Sequence, residues 1–417
     1  MPDRTLRQAL EAELAANPDD LATHAAYADL LTEQGDDRGE FIMVQMALED
    51  PTRGPAERKR LARREEELLE SSAERWLGRL GRVLSDECGF AFRRGWLDRL
   101  GVRRLSLELA RRLRDAPQAR LLRDLSIERV LSEEEEMSDE GEEAEIHPDD
   151  NVPAFDPCPA VWPLVGAATL ANVRRFTLGE DAEDDYRAFH CRVDTPAVPH
   201  LVRGMPRLEE LHLFASGYDP GELLALPTLK NLRLLQLYHN YRVCRLDVLA
   251  ANPAARRLTH LLCHPHAVAW GTAASLDQEQ GFVADEGYLP LSVVRALLAS
   301  PHLSCLTHLR LRCSSMGDEG VRDIVRSGIL SRLQVLDLRH GRVTDEGARV
   351  IAGCPDARGL KMLDLGHNTL TAAGVELLRG LGVPVALEGQ TDNENAFLYE
   401  GDQTEDEDAL PTDDDME

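Results

Sequence analysis

Three segments of the chain align without a gap at a fixed interval. "LTHLRLRCSSMGDEGVRDIV" begins at Leu306, "LQVLDLRHGRVTDEGARVIA" at Leu333 and "LKMLDLGHNTLTAAGVELLR" at Leu360, a spacing of 27 residues each time. Each opens with LxxLxL. In an extended segment alternate side chains share a face, so the last two leucines of each head point the same way. One such unit cannot bury that face alone. Stacking it against the next does, and a repeat of this length therefore predicts an α/β solenoid of short parallel strands and helices.

The second half of each unit reads as a helix. Thr344 and Thr371 stand where N-caps are expected, and Asp345 and Glu346 suit the positive end of the helix dipole. Val321, Ile324 and Val325, then Val350 and Ile351, then Val375, Leu377 and Leu378 form apolar stripes at helical spacing. Gly320, Gly347 and Gly374 recur at one phase, the expectation being that only hydrogen fits where helix meets strand layer.

With the head pattern known, less regular units emerge at Leu208, Leu232 and Leu258, and weaker ones at Val173, Leu122 and Leu97. That makes about nine rungs. The rung at Leu258 runs into "THLLCHPH", which resembles a metal motif when read locally. Within the repeat, however, Leu258, Leu261 and Cys263 take inward places while His260 and His264 face the other way, so the ligands do not converge and no metal is expected.

These repeats resemble ribonuclease-inhibitor-like leucine-rich repeats, most clearly in "LQVLDLRHGRVTDEGARVIAGCP", over roughly the last two thirds of the chain. The resemblance implies a protein-binding solenoid and no particular chemistry. At the other end, "NPDD" and "YADLLTEQGDDRGEFIMVQMALE" (Tyr27 to Glu49) are similar to the short repeat-companion domain of planctomycete and myxobacterial proteins, with Leu30 where a tryptophan is usual. "FRRGWLDRL" from Phe92 resembles the bridge that follows it. Read without the family, the same residues give three short helices. Asn17-Pro18 ends the first, Gly35 closes the second, and Asp36 or Asp37 caps the third. They would serve as the cap that a solenoid end requires.

The expected organisation is a small all-helical N-terminal domain (1–50), an Arg-rich helical bridge (51–96) and the solenoid (97–389). An acidic, disordered insertion (131–160) interrupts the solenoid, and an acidic tail (390–417) follows it. A second insertion, "WGTAASLDQEQGFVADEGY", follows the rung at Leu258.

Charge bounds the partners. With 74 acidic against 47 basic residues the formal net charge is −27, which disfavours general affinity for nucleic acid or anionic membrane. Locally the balance inverts, since Thr52 to Arg129 holds 20 Lys/Arg and 13 Asp/Glu, and binding of nucleic acid or another polyanion by the Arg-rich segment 53–129 is the alternative function. Pairing of those arginines with Glu65, Glu66, Glu67 and Glu70, or shielding by the insertion, argues against it. Neither a secretory apolar core nor a run of about 18 apolar residues is seen, so the expected location is the cytoplasm. Eight cysteines without a CxxC pair read as reduced, mostly packed thiols.

The candidate site is the outward face of the strands, expected to be concave. The position between the two inward residues gives His212, Gln236, Leu262, Arg310, Asp337 and Asp364, and the next outward position gives Phe214, Tyr238, His264, Arg312, Arg339 and Gly366. Aromatics and arginines are enriched at interaction hot spots, so this stripe is expected to bind an unidentified protein. Phosphate-loop, HExxH and GxSxG motifs are missing. Asp337 and Asp364 are expected side by side on an open surface with little to shift a pKa. The chain is thus read as a non-enzymatic, monomeric scaffold with no cofactor.

Overall fold

The computed structural model describes residues 2–84, 88–132, 156–180, 193–238, 244–264, 289–312, 314 and 316–390. Both acidic segments, apart from the ends of the first and Gln390 of the second, and the insertion 270–288 lie outside these residues, as do the cysteines at 191 and 313. The chain divides into two compact units: Met1–Leu178 with His200–Leu208, and Gly179–Pro199 with the chain from Glu209 on.

The first unit begins with four helices, α1 (Pro2–Ala16), α2 (Leu21–Glu33), α3 (Arg38–Glu49) and α4 (Pro55–Leu77). Asp20 caps α2 by accepting from the Ala22 amide, and Gly35 follows it with φ of 73°, the left-handed conformation that suits glycine. Leu14, Tyr27, Ala28, Leu31 and Ile42 pack with Trp96 and Leu121 into one core. Around it Tyr27 stacks on Trp96 at 5.4 Å and Phe41 on Trp76 at 4.5 Å.

The expected bridge of 51–96 is helical only in part. Helix ends at Leu77, and the alternating Phe90 and Phe92 lie in a strand, β1 (Gly89–Arg93), antiparallel to β2 (Trp96–Leu105). Arg94 (φ 49°) and Gly95 (φ 75°) form the two-residue turn between them, with positive φ at both positions as a tight hairpin demands. After the helix α5 (Leu107–Arg114), parallel strands β3 (Asp124–Val130) and β4 (Arg175–Leu178) follow. Their register sets Leu100 beside Leu125 and Phe176, and Val102 beside Ile127 and Leu178. Those are the inward positions of the three weakest repeat heads, and all six side chains are fully buried.

The second unit repeats this arrangement in β5 (Glu210–Phe214), β6 (Leu234–Tyr238), β7 (His260–His264), β8 (His308–Leu311), β9 (Val335–Asp337), β10 (Met362–Asp364) and β11 (Val385–Ala386). From β5 to β11 each strand neighbours the next in sequence, and the paired strands run parallel. Leu211, Leu235, Leu261, Leu309, Leu336 and Leu363 stack as one register line of inaccessible leucines. Cys263 occupies a leucine place in the next line and is equally buried.

Return segments include helices Gly317–Ser327, Asp345–Ala352 and Ala372–Arg379. Thr344 and Thr371 cap the last two, accepting from the Glu346 and Ala373 amides. The recurring glycines answer a different need from the one expected. A Cβ on Gly374 would stand 2.2 Å from the Asp345 carboxylate, and one on Gly347 would stand 2.6 Å from that of Asp318. Asp318 accepts from the Thr344 and Gly347 amides, both at 2.9 Å, and from the Thr344 hydroxyl at 2.7 Å. Asp345 does the same for Thr371, at 2.9 and 2.6 Å. The glycines clear space for an aspartate reaching across from the preceding rung, whereas Gly320 faces Met316.

Candidate functional site

Parallel pairing brings the predicted stripe together. His212, Gln236, Leu262, Arg310, Asp337 and Asp364 are consecutive register partners across β5 to β10. Beside them Phe214, Tyr238 and His264 form the next line, with ring centroids 5.2 Å apart for Phe214 and Tyr238 and 4.8 Å for Tyr238 and His264.

The stripe is not uniformly open, and the expectation of an exposed carboxylate pair is overturned. Asp337 is 2 % exposed, Arg312 3 % and Arg339 5 %, with Asp364 similarly buried. Their charges alternate across adjacent rungs and cover one another. Arg312 donates from Nε to Asp337 at 2.8 Å, while Arg339 lies 3.2 Å from Asp364 and donates to Glu388 at 2.5 Å. Asp337 also accepts from the Arg339 amide, and Asp364 from that of Gly366.

The two carboxyl groups diverge electrically. Burial works to raise Asp337, but the Arg312 charge and the Arg339 amide outweigh it and hold the group below its ordinary range. Asp364 is pushed up to about 6, first by burial and then by the neighbouring Asp337 charge, against the pull of Arg339. Gln236 and Tyr238 are also buried, so the half-buried members of the stripe are His212, Phe214, His264 and Arg310.

One feature of this face was missed. His260 and His308 are register partners on β7 and β8, with ring centroids 3.9 Å apart and planes within 16°. Thr259 donates its hydroxyl proton to the Arg233 carbonyl at 3.0 Å, so its oxygen accepts from His260 Nδ1 at 2.8 Å. Thr307 repeats the arrangement with the Thr259 carbonyl and His308 Nδ1. This bonding fixes the Nδ1-protonated tautomer in both rings and leaves Nε2 as an acceptor. Burial lowers both pKa values, that of His308 to about 4, with His260 as its second cause. The signal was present in the sequence as the identical "LTHL" at Leu258 and Leu306. Among the described residues no group of three or more His, Cys, Asp or Glu is arranged to hold a metal ion, and no helix is long and apolar enough to cross a membrane.

In the Arg-rich segment the guanidinium groups are extensively paired. Arg64 binds Glu40 at 2.7 Å and Glu67 at 3.2 Å, Arg63 binds Glu67, Arg75 binds Asp37, and Arg93 and Arg94 share Glu49. Arg123 and Arg174 both reach Asp19 at 2.7 Å. Of the carboxylates expected as partners, Glu67 takes that part, whereas Glu65 accepts from Gln45.

A family model described as "Leucine Rich repeat" matches residues 302–325 and 332–352, the units that contain β8 and β9. No curated protein matches the chain. Among solved structures, the chain is similar to a Bacteroides fragilis protein, with 16 % identity, TM-score 0.46 and coverage of 81 % of this chain and 85 % of that one. It is also similar to an internalin from Listeria monocytogenes, with 15 % identity, TM-score 0.29 and coverage of 66 % and 69 %.

Proposed function

We propose that this chain is a non-catalytic, protein-binding scaffold, cytoplasmic and monomeric, that engages its partner through the outward, concave face of β5 to β8. The observation that carries the reading is the placement of half-buried His212, Phe214, His264 and Arg310 on one parallel strand face, with the stacked His260 and His308 among them. Half-buried side chains of this kind are held by their neighbours and lose little entropy on binding, which favours them as contact residues. The buried Arg312, Asp337, Arg339 and Asp364 are assigned to holding the rungs together. The companion-domain resemblance is kept as context for the N-terminal helices, read as a cap. The polyanion alternative is weakened by the carboxylate pairing of the arginines.

The test is an affinity capture from native lysate with the wild-type chain and with a variant carrying Phe214→Ala, His264→Ala and Arg310→Ala, shown to be folded by circular dichroism. A protein retained by the first and lost by the second supports this face as the interface. Equal capture by both refutes it, and recovery of nucleic acid in its place would favour the Arg-rich segment.

A further inference from the structure

The first unit contains a cavity of about 580 Å³ whose wall includes Arg7, Arg38, Arg75, Glu11, Asp36, Asp37, Trp76 and Trp96. Two of its three guanidinium groups are neutralised locally. Arg7 donates to Glu11 at 3.0 Å, and Arg75 is bonded to Asp37. Arg38 differs. It is 7 % exposed, its Nε donates to the Gly95 carbonyl at 2.7 Å, and its guanidinium lies 4.7 Å from the centroid of the Trp96 ring. Its Nη2 has no acceptor, and the same holds for the buried Nε1 of Trp96 beside it. Burial is the main influence on Arg38 and works against its charge, with the Tyr27 and Asp36 fields opposing it only in part.

A buried guanidinium without a carboxylate partner is costly, because desolvation is not offset by a charge-assisted hydrogen bond. Holding the Arg94–Gly95 turn explains the Nε bond and the stacking on Trp96. It does not explain why this guanidinium stands in the cavity wall with no carboxylate bonded to it, the Glu11, Asp37 and Asp36 carboxylates being engaged by Arg7, Arg75 and the Arg38 backbone amide. We propose that this cavity is a binding site for a carboxylate, with Arg38 as its anchor. Guanidinium charge is delocalised over the group, so an anion meeting its cavity-facing edge compensates the whole. A single negative charge fits better than two, because Glu11, Asp36 and Asp37 already line the wall. The carboxylate chemistry is common to a small free acid and to an acidic side chain or C-terminus of a peptide. The site lies in the first unit and is independent of the strand-face function proposed above.

The test uses the full chain and isothermal titration calorimetry at constant ionic strength, with sodium benzoate, inorganic phosphate, sodium chloride and an N-acetylated decapeptide whose C-terminal carboxylate is its one charge as probes. Saturable binding of benzoate or the peptide, with phosphate and chloride weaker, is the expected result, and whichever of the two binds identifies the source. Arg38→Gln should weaken it by about 10-fold or more, the loss of one charge-assisted bond. Because that change could disturb the Gly95 turn, a second variant places bulk at the exposed rim: Gln34→Trp, which touches no bond of Arg38, should weaken binding comparably. Absence of saturable binding to the folded wild type, equal response to chloride, or undiminished binding in both variants would overturn the proposal.

Discussion

The carboxylate of Asp345 accepts both the backbone amide and the hydroxyl of Thr371, 26 residues further along the chain, so this helix cap is itself held by the rung before it. Asp318 and Thr344 make the same pair one rung earlier. Asp345 was expected to serve its own helix dipole. It serves the next helix instead, and Gly374 leaves it room.

Removing that acceptor should be felt. Asp318→Ala deprives the Thr344 and Gly347 amides and the Thr344 hydroxyl of one shared partner, and a loss of about 1–2 kcal/mol is expected. Gly347→Ala should destabilise through the same contact, since the added methyl would displace the carboxylate. Urea unfolding followed by circular dichroism reads both, and an unchanged midpoint in Asp318→Ala would remove the capping role.

Arg312 and Asp337 form a buried pair, so breaking it from one side should cost more than deleting it. Asp337→Ala leaves Arg312 buried without its carboxylate and is expected to cost about 3–5 kcal/mol. Combining it with Arg312→Leu should recover a large part of that. A double-mutant cycle measures the coupling, and strict additivity would show the pair to be inconsequential.

Stability should carry an unusual pH signature from Asp364. Its pKa is raised from 3.8 to about 6, so the folded state binds this proton more tightly than the unfolded chain does. Its contribution is fully present below 3.8 and is lost as pH rises through about 6, a change on the order of 2–3 kcal/mol. The difference in unfolding free energy between wild type and Asp364→Asn should therefore fall from pH 4 to pH 7. A constant difference would contradict the raised pKa. Asp337 is lowered, so its own loss begins only at more acidic pH and does not obscure this window.

His308 acts with the opposite sign. Its pKa falls from 6.5 to about 4, so its contribution is present above 6.5 and is lost as pH drops through about 4. Nitrogen-detected NMR should find His260 and His308 neutral and protonated on Nδ1 at pH 6.5. Protonation on Nε2 instead would break the threonine-directed tautomer argument.

The repeat was legible even where it was weak. The heads at Leu97, Leu122 and Val173 lie in or just ahead of β2, β3 and β4, because the register of a parallel sheet preserves the inward leucine positions regardless of what intervenes. β11 was not found, since Val385–Ala386 has no leucine head. Nor was the burial of Arg312, Asp337, Arg339 and Asp364. A charged residue reads as exposed until its partner is known, and here the partner sits on the adjacent strand, 25 residues away for Arg312 and Asp337. The hairpin at Arg94–Gly95 was hidden for a related reason: its stability depends on Arg38 and Gln45, which bond Gly95 from a helix far upstream.

The relay from Asp318 to Thr344 and from Asp345 to Thr371 has a direction. The acceptor always belongs to the earlier rung and the donor to the later. During synthesis each of these two caps thus emerges to find its acceptor already built, and neither has to wait for one still inside the ribosome. A deletion taken from the C-terminal side should accordingly leave the remaining caps intact, while loss of an earlier rung should loosen the one that follows.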